Sequence, residues 1–246
     1  MKNLEGKRAL VTGGARGIGA AIARSLAENG ADVAITYERS AERAAQVVQA
    51  IQSGGRRGLA IQADSADPEA IKRAVAETVA GMGGLDILVN SAAVGRQGMV
   101  VDIGLADIDA MLDINVRAPL LFAQAAIPHL DAGGRIISIG SSLAERVPFP
   151  GATAYAMTKS ALLAFTRGLS RELGAKGVTV NLVLPGSIDT DMNPADGPSA
   201  DFQRSLSSLG RYGKASEIAG IVAFLASPAA DLITGAFLTA DGGANA

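Results

Sequence analysis

The amino-acid sequence predicts an α/β protein: a single doubly wound domain whose parallel sheet has about seven strands, with helices on both faces. Three observations lead there. Seven short aliphatic runs recur along the 246 residues, they alternate with longer Ala-rich stretches of helical period, and no Pro/Gly/Ser-rich linker, charge run or internal repeat divides them. The runs are continuously apolar, which marks strands buried on both faces. Strand–helix alternation of this kind means parallel βαβ units with right-handed crossovers. One domain over residues 1–246 is expected.

In chain order the predicted strands are Arg8–Thr12, Asp32–Thr36, Gly58–Gln62, Ile87–Asn90, Arg135–Ile139, Val178–Leu184 and Ala236–Leu238. Between them the helical period predicts helices over Ile18–Asn29, Ala41–Ser53, Pro68–Met82, Leu105–Leu130, Ala152–Ala175 and Ala215–Ala226. The least regular stretch is Pro185–Tyr212, which holds Pro194, Pro198 and only scattered apolar residues. Connections that long are usually functional, and residues 187–212 are expected to form a substrate lid.

Composition excludes several classes. Hydrophobic residues make up 48% of the chain and aromatics 4%, so the core is aliphatic and small. A net charge of −2, with basic residues clustered no further than pairs, gives no pull toward nucleic acid or an anionic membrane. The chain has no cysteine, hence no disulfide, thiolate zinc site or thiol nucleophile. The start, Met1-Lys2-Asn3-Leu4-Glu5-Gly6, has no signal-peptide apolar core, and no uninterrupted apolar run reaches membrane length, so a cytoplasmic location is expected. His129 is the only histidine and follows Pro128 at a helix end; no metal site is expected. Asp102, Asp107, Asp109 and Asp113 read as a solvated face, and Asp189, Asp191, Asp196 and Asp201 lack calcium-loop spacing.

The first strand runs into Thr12-Gly13-Gly14-Ala15-Arg16-Gly17-Ile18-Gly19, and a helix follows at once. Gly13 allows the tight turn, Gly17 lets backbone approach a pyrophosphate, and Gly19 lets the helix pack closely. The helix N-terminus offers free N–H groups and partial positive charge. The Gly-x-x-x-Gly-x-Gly spacing, not the commoner Gly-x-Gly-x-x-Gly, is read as a dinucleotide-binding loop from its place between a strand and a helix, although a glycine loop alone also fits a simple strand–helix turn.

Further signals stand at fixed places downstream: Asn90-Ser91-Ala92 closing a strand, Asn115 inside a helix, Ser141 and Ser142 after a strand, Tyr155 and Lys159 four apart, and Pro185-Gly186 followed by Ile188 and Thr190. Over essentially its whole length this ordered set resembles the short-chain dehydrogenase/reductase family, in particular its 3-oxoacyl carrier-protein reductase-like ketoreductases. Residues 189–197 also resemble a sub-branch that includes a cyclic-dinucleotide-binding, biofilm-dispersal member. One departure is Ala93, where the family often has glycine.

The resemblance implies an NAD(P)(H)-dependent oxidoreductase moving a hydride between nicotinamide and a carbonyl or secondary alcohol. Tyr155 and Lys159 project from one helix face, although an isolated pair at this spacing commonly just covers a helix surface. The Lys159 ammonium, with oxidised nicotinamide nearby, is expected to lower the Tyr155 pKa from its usual value of about 10. Tyr155 is then general acid in reduction and general base in oxidation. A serine hydroxyl polarises the substrate oxygen. Counting along the strand gives Ser141, and counting back from Tyr155 gives Ser142. The strand count is preferred, because a register slip would flip every side chain. By resemblance, Asn115 holds a water linked to Lys159, while Pro185, Gly186, Ile188 and Thr190 grip the nicotinamide amide. Asn90 and Ala92 line the cofactor. Asp64 and Ser65 sit where an acid accepts the adenine amine, though a solvated turn fits them nearly as well.

NAD-specific sites place an acid at the end of the second strand. Here that place is Tyr37, followed by Glu38, Arg39 and Ser40. Arg39 and Ser40, with Arg16 from the glycine loop, can hold a 2′-phosphate, so NADP(H) is favoured over NAD(H); Glu38 argues the other way. A small-molecule carbonyl or alcohol is the expected partner. A homo-oligomer, a tetramer by resemblance, is expected from Leu162, Leu163, Phe165 and Leu169 spread around one helix. The other reading is a nucleotide-binding regulatory protein of the same fold with incidental activity.

Overall fold

The computed structural model describes residues 3–246; Met1 and Lys2, which open the N-terminal segment discussed above, lie outside the described residues. Nine strands run in chain order: β1 (Arg8–Val11), β2 (Asp32–Tyr37), β3 (Gly58–Gln62), β4 (Ile87–Asn90), β5 (Arg135–Ile139), β6 (Thr179–Pro185), β7 (Ile188–Asp189), β8 (Gly213–Lys214) and β9 (Phe237–Ala240). The α-helices are α1 (Gly17–Glu28), α2 (Ala41–Ser53), α3 (Pro68–Met82), α4 (Leu105–Leu112), α5 (Ala118–Ala126), α6 (Thr153–Leu173), α7 (Ala200–Leu206) and α8 (Ala215–Ala226).

Seven strands form one sheet in the order β3-β2-β1-β4-β5-β6-β9, every pairing parallel, while β7 and β8 pair separately. Continuous apolar strands produce this because both faces are covered. Ala9 and Val11 of β1 pack with α1, α2 and α8, whereas Leu10 between them packs with α3, α5 and α6. From β1 the chain winds outward through β2 and β3, then returns to place β4 on the other side of β1. The loops leaving β1 and β4 therefore part to opposite faces and open a crevice at the carboxyl ends of the strands.

Local chemistry sets the element ends. Asp67 caps α3 by accepting the Glu69 N–H at 2.9 Å, and Pro68 occupies the first turn. Gly83 stops the helix in the left-handed region, with φ 76°.

Three expectations need correction. The stretch expected as one helix over Leu105–Leu130 is interrupted by a π-helical turn at Asp113–Arg117 and closes in a 3₁₀ turn at Ile127–His129. Leu105–His129 is also long and apolar enough to cross a membrane by length and composition. Here it buries Met111, Asn115, Ala118, Phe122, Ala123 and Ala126 within the protein. The stretch after Pro185 is more regular than its composition suggests. It contains β7, α7 and a bridge between Thr190 and Asn193, because Gln203 hydrogen bonds Ser187, Asn193 and Ser199 and ties the segment together.

Candidate active site

The glycine loop lies at the crevice. Gly13, with φ 64°, passes so close to the end of β4 that a β-carbon there would sit 2.8 Å from Ala92 Cα. A β-carbon on Gly19 would sit 2.4 Å from the Gly13 carbonyl oxygen, so α1 rests on the loop that feeds it. Gly17 also has positive φ and opens α1; Arg16 at the cap position gives that helix end no side-chain hydrogen bond. The first N–H groups, those of Ile18 and Gly19 among them, thus face the crevice with the positive end of the helix dipole behind them. This close-packed cradle fits the pyrophosphate of a dinucleotide.

The catalytic candidates converge on the same end of the sheet. Ser141 stands just past β5, its Oγ accepting the Leu143 N–H at 3.2 Å and lying near enough to the Tyr155 phenol to favour its ionised form. Ser142 is buried, and its carbonyl accepts from Asn245 Nδ2 at 2.8 Å. Lys159 lies one turn below Tyr155, its Nζ 5.8 Å from the ring centroid and 3.0 Å from the Ile139 carbonyl oxygen to which it donates. Burial pushes the Lys159 pKa down to about 8. The protein by itself does not lower the Tyr155 pKa. Burial pushes it up to about 12, and the nearby Ser141 hydroxyl offsets only part of that. The ammonium is engaged with a carbonyl, and the protein alone does not supply the stabilisation a phenolate needs.

Asn115 sits in the π-helical turn, buried. Its Oδ1 accepts the Val94 N–H at 3.0 Å, and its Nδ2 donates to the Val94 carbonyl at 2.8 Å and to Thr158 Oγ1 at 3.1 Å. Both amide protons are spent on the protein. The side chain braces the loop after β4 against the helix of Tyr155, leaving only carbonyl lone pairs to hold a water.

Pro185 ends β6, and the Gly186 N–H donates to the Ala240 carbonyl at 3.1 Å. Ile188 turns its side chain into the core, and Thr190 packs against the glycine loop, 3.5 Å from where a Gly17 β-carbon would stand. Met192 Sδ and Tyr155 Cε2 are each 3.8 Å from the β-carbon position of Gly95, so these three border one space. Phe149 and Phe202 meet edge to face, 5.9 Å apart, joining the loop after Ser141 to α7.

At the far end, Tyr37 closes β2, and Arg39 is 85% exposed, paired with Glu38 at 3.0 Å. Ser40 precedes α2 without a capping hydrogen bond. Asp64 Oδ1 accepts the Ala66 N–H at 2.8 Å, a turn that leaves its other oxygen free, with Ser65 beside it. Asn90 is buried, its Nδ2 toward Ser138 Oγ at 3.5 Å and its Oδ1 without a protein partner.

Thr12 and Asn245 escaped the sequence reading. Thr12 Oγ1 accepts from both Ser91 N and Ala92 N at 3.0 Å, tying the loop after β4 to the glycine loop. Its signal was available, since a hydroxyl directly before Gly13 at a buried strand end needs a partner. Asn245 offered none, because its partner is 103 residues away.

A fold with its nucleotide cradle on β1 and a Ser–Tyr–Lys cluster beyond β5 defines a class of dinucleotide-dependent oxidoreductases. A sequence profile described as enoyl-(acyl carrier protein) reductase matches residues 13–245. The chain belongs to the short-chain dehydrogenase/reductase family. Among its relatives, an Escherichia coli protein named cyclic-di-GMP-binding biofilm dispersal mediator is 44% identical over 237 residues, 96% of each chain. A 3-oxoacyl-(acyl-carrier-protein) reductase of Staphylococcus aureus is 38% identical, covering 96% of this chain and 97% of that one. The crystal structure of a short chain dehydrogenase from Burkholderia cenocepacia in complex with NADP matches with a TM-score of 0.98 at 59% identity, over 99% of this chain and 100% of that one.

Proposed function

We propose that this oxidoreductase reduces a ketone of 3-oxoacyl type with NADPH, and that Ser141, Tyr155, Lys159 and Asn115 carry the reaction. The observation that carries this reading is the convergence of the Ser141 hydroxyl and the Tyr155 phenol beyond the carboxyl ends of the strands, with Lys159 one turn below. Bound NADPH supplies the hydride. Arg16, Gly17, Ile18 and Gly19 hold its pyrophosphate, Arg39 and Ser40 its 2′-phosphate, and Asn90, Ala92, Gly186 and Thr190 border its ribose and nicotinamide. Ser141 and Tyr155 both donate to the substrate oxygen, and as negative charge develops there Tyr155 delivers its proton. The raised phenol pKa keeps that proton in place across the neutral range, which suits an acid. Lys159 passes a proton back to the phenolate and regains it from a water that the Asn115 carbonyl lone pairs hold.

Residues 187–212 form the lid, supported by Met192, which borders the same space as Tyr155 at Gly95, and by the Phe149–Phe202 contact that joins α7 to the loop after Ser141. The protein assembles as a homotetramer. Leu162, Leu163, Phe165 and Leu169, expected to face a partner, pack instead on their own chain. The support comes from Leu105, Leu112 and Leu120, exposed along α4 and α5, and light scattering reads the mass.

The test mixes the protein with NADPH and a panel of 3-oxoacyl thioesters and aryl ketones, following loss of reduced-nicotinamide absorbance. Turnover abolished by Tyr155→Phe supports the reading. The name of the Escherichia coli relative favours a second one, a cyclic-dinucleotide-binding regulator. NADPH binding without turnover on any ketone, together with calorimetric binding of cyclic di-GMP, supports that one instead.

A further inference from the structure

Segment 188–191 crosses the crevice. Six residues past the end of β6, the Asp191 carboxylate forms an ion pair with Arg43 in the first turn of α2. β2, which leads into α2, and β6 are four strand positions apart in the sheet, with β1, β4 and β5 between them, a separation of roughly 19 Å at normal strand spacing. On the way Thr190 lies against Gly17, its Cγ2 3.5 Å from that residue's β-carbon position. The strap therefore passes directly over the phosphate cradle and fastens on the side where β2 ends.

That fastening point is crowded with charge. Arg16, Arg39 and Arg43 stand around the end of β2 and the glycine loop. Glu38 occupies Arg39, and Asp191 occupies Arg43. Arg16 also acts on Asp191, and together with Arg43 it holds that carboxyl below the usual carboxylate range. Both members of the Arg43–Asp191 pair are about half exposed, and ion pairs in that setting hold weakly and exchange readily. A phosphomonoester brings nearly two negative charges and three acceptor oxygens, so it outbids a single carboxylate for a guanidinium.

We infer that Arg43 binds the 2′-phosphate of NADPH and that Asp191 competes with that phosphate for it, so that the strap carboxylate sets the preference between NADPH and NADH. The inference rests on the NADPH reading above and extends it to residues outside the β2 terminus. NADH has a 2′-hydroxyl in place of the phosphate and leaves the Arg43–Asp191 pair intact. NADPH exchanges the Asp191 carboxylate for its own phosphate and must overcome the competition.

Equilibrium binding of each reduced cofactor, read from nicotinamide fluorescence without any substrate, tests this on the intact protein. Arg43→Gln should weaken NADPH binding about tenfold and change NADH binding less than twofold. Asp191→Asn keeps the shape and removes the competing charge; it should tighten NADPH several-fold and leave NADH unchanged. The salt dependence of NADPH binding should be shallower in Arg43→Gln than in wild type. Thermal melts of both variants within about 2 °C of wild type confirm an intact fold. The inference is overturned if both variants shift NADPH and NADH together, or if the NADPH/NADH ratio stays at its wild-type value. Wild-type protein that binds NADPH no more tightly than NADH would remove the underlying cofactor reading as well, an outcome separable from the first two.

Discussion

The two ends of the sheet treat their charged and polar groups in opposite ways. At the amino ends of the strands, charges neutralise one another. Arg8 at the start of β1 meets Asp86 before β4 through Nε at 2.7 Å, Asp32 at the start of β2 takes Arg57 at 2.7 Å and Arg56 at 3.4 Å, and Arg135 at the start of β5 pairs with Asp231. At the carboxyl ends, beside the exposed Arg39–Glu38 and Arg43–Asp191 pairs, the groups around the cradle and the phenol are held short of satisfaction. Helix α1 has no side-chain cap, Lys159 meets a neutral carbonyl rather than a carboxylate, and Tyr155 is pushed up to about 12 by burial. One end consists of ion pairs that hold the strands in place, with only Arg135 Nε and Thr179 Oγ1 among its described buried polar side-chain atoms left without a partner. The other keeps donors available for something that is not protein. Parallel strands make the division possible, because every functional loop leaves from the same edge.

The largest expected effect tests the carboxyl edge. Tyr155→Phe removes only a hydroxyl and should lower kcat about 10²–10⁴-fold while NADPH affinity, measured by fluorescence titration, stays close to wild type. Near-normal turnover would show that the edge is merely crowded. The serines come next. Ser141→Ala should lower kcat about 10²-fold or more, and Ser142→Ala far less, because the Ser141 hydroxyl meets the phenol while Ser142 engages Asn245 through its carbonyl. Steady-state kinetics in the reverse order would move the site one residue along the chain.

A pH series should separate the edges. Arg57 and Arg56 around Asp32, and Arg8 beside Asp86, hold both carboxyls below their usual range despite burial acting the other way. Their contribution is therefore complete above the unfolded carboxylate pKa of about 4 and is lost as pH falls through the lower folded values. Asp86→Asn should cost about 1–3 kcal/mol at neutral pH, flatten the acid limb of a denaturation curve and leave kcat unchanged. Lys159 fails on the other side, since its ammonium is present below pH 8 and lost as pH rises through about 8. Reduction at saturating NADPH should therefore decline on the alkaline limb while the fold remains intact. If acid and alkali remove activity and structure together, the edges are not independent.

The smallest effect sharpens the boundary between them. Thr12 lies at the carboxyl edge, yet it acts within the protein by accepting two N–H groups of the loop after β4. Thr12→Val should cost about 1–2 kcal/mol by leaving those donors unpaired and loosen NADPH binding a few-fold, with kcat at saturation little changed. Denaturant melts and fluorescence titration read the two quantities.

The sequence by itself determined what depends on neighbours along the chain. Continuous apolar runs specified strands covered on both faces, and the helical period placed α1, α2, α3, α6 and α8 within a residue or two of their ends. The glycine spacing marked the cradle, and the four-residue interval placed Tyr155 and Lys159 on one helix face. Tertiary structure decided whatever depends on partners far away in sequence. The π-helical turn that lets Asn115 reach both Val94 and Thr158 cannot be read from Ala-rich periodicity, because it is stabilised by contacts 21 and 43 residues distant. The Arg43–Asp191 strap joins residues 148 apart, which two exposed charges in unrelated segments do not announce. The upward effect of the protein itself on the Tyr155 pKa was hidden from the sequence for the same reason. A lysine four residues on can be counted along the chain, but the dielectric around a phenol and the carbonyl that claims that lysine exist only once the sheet and helices have closed around them.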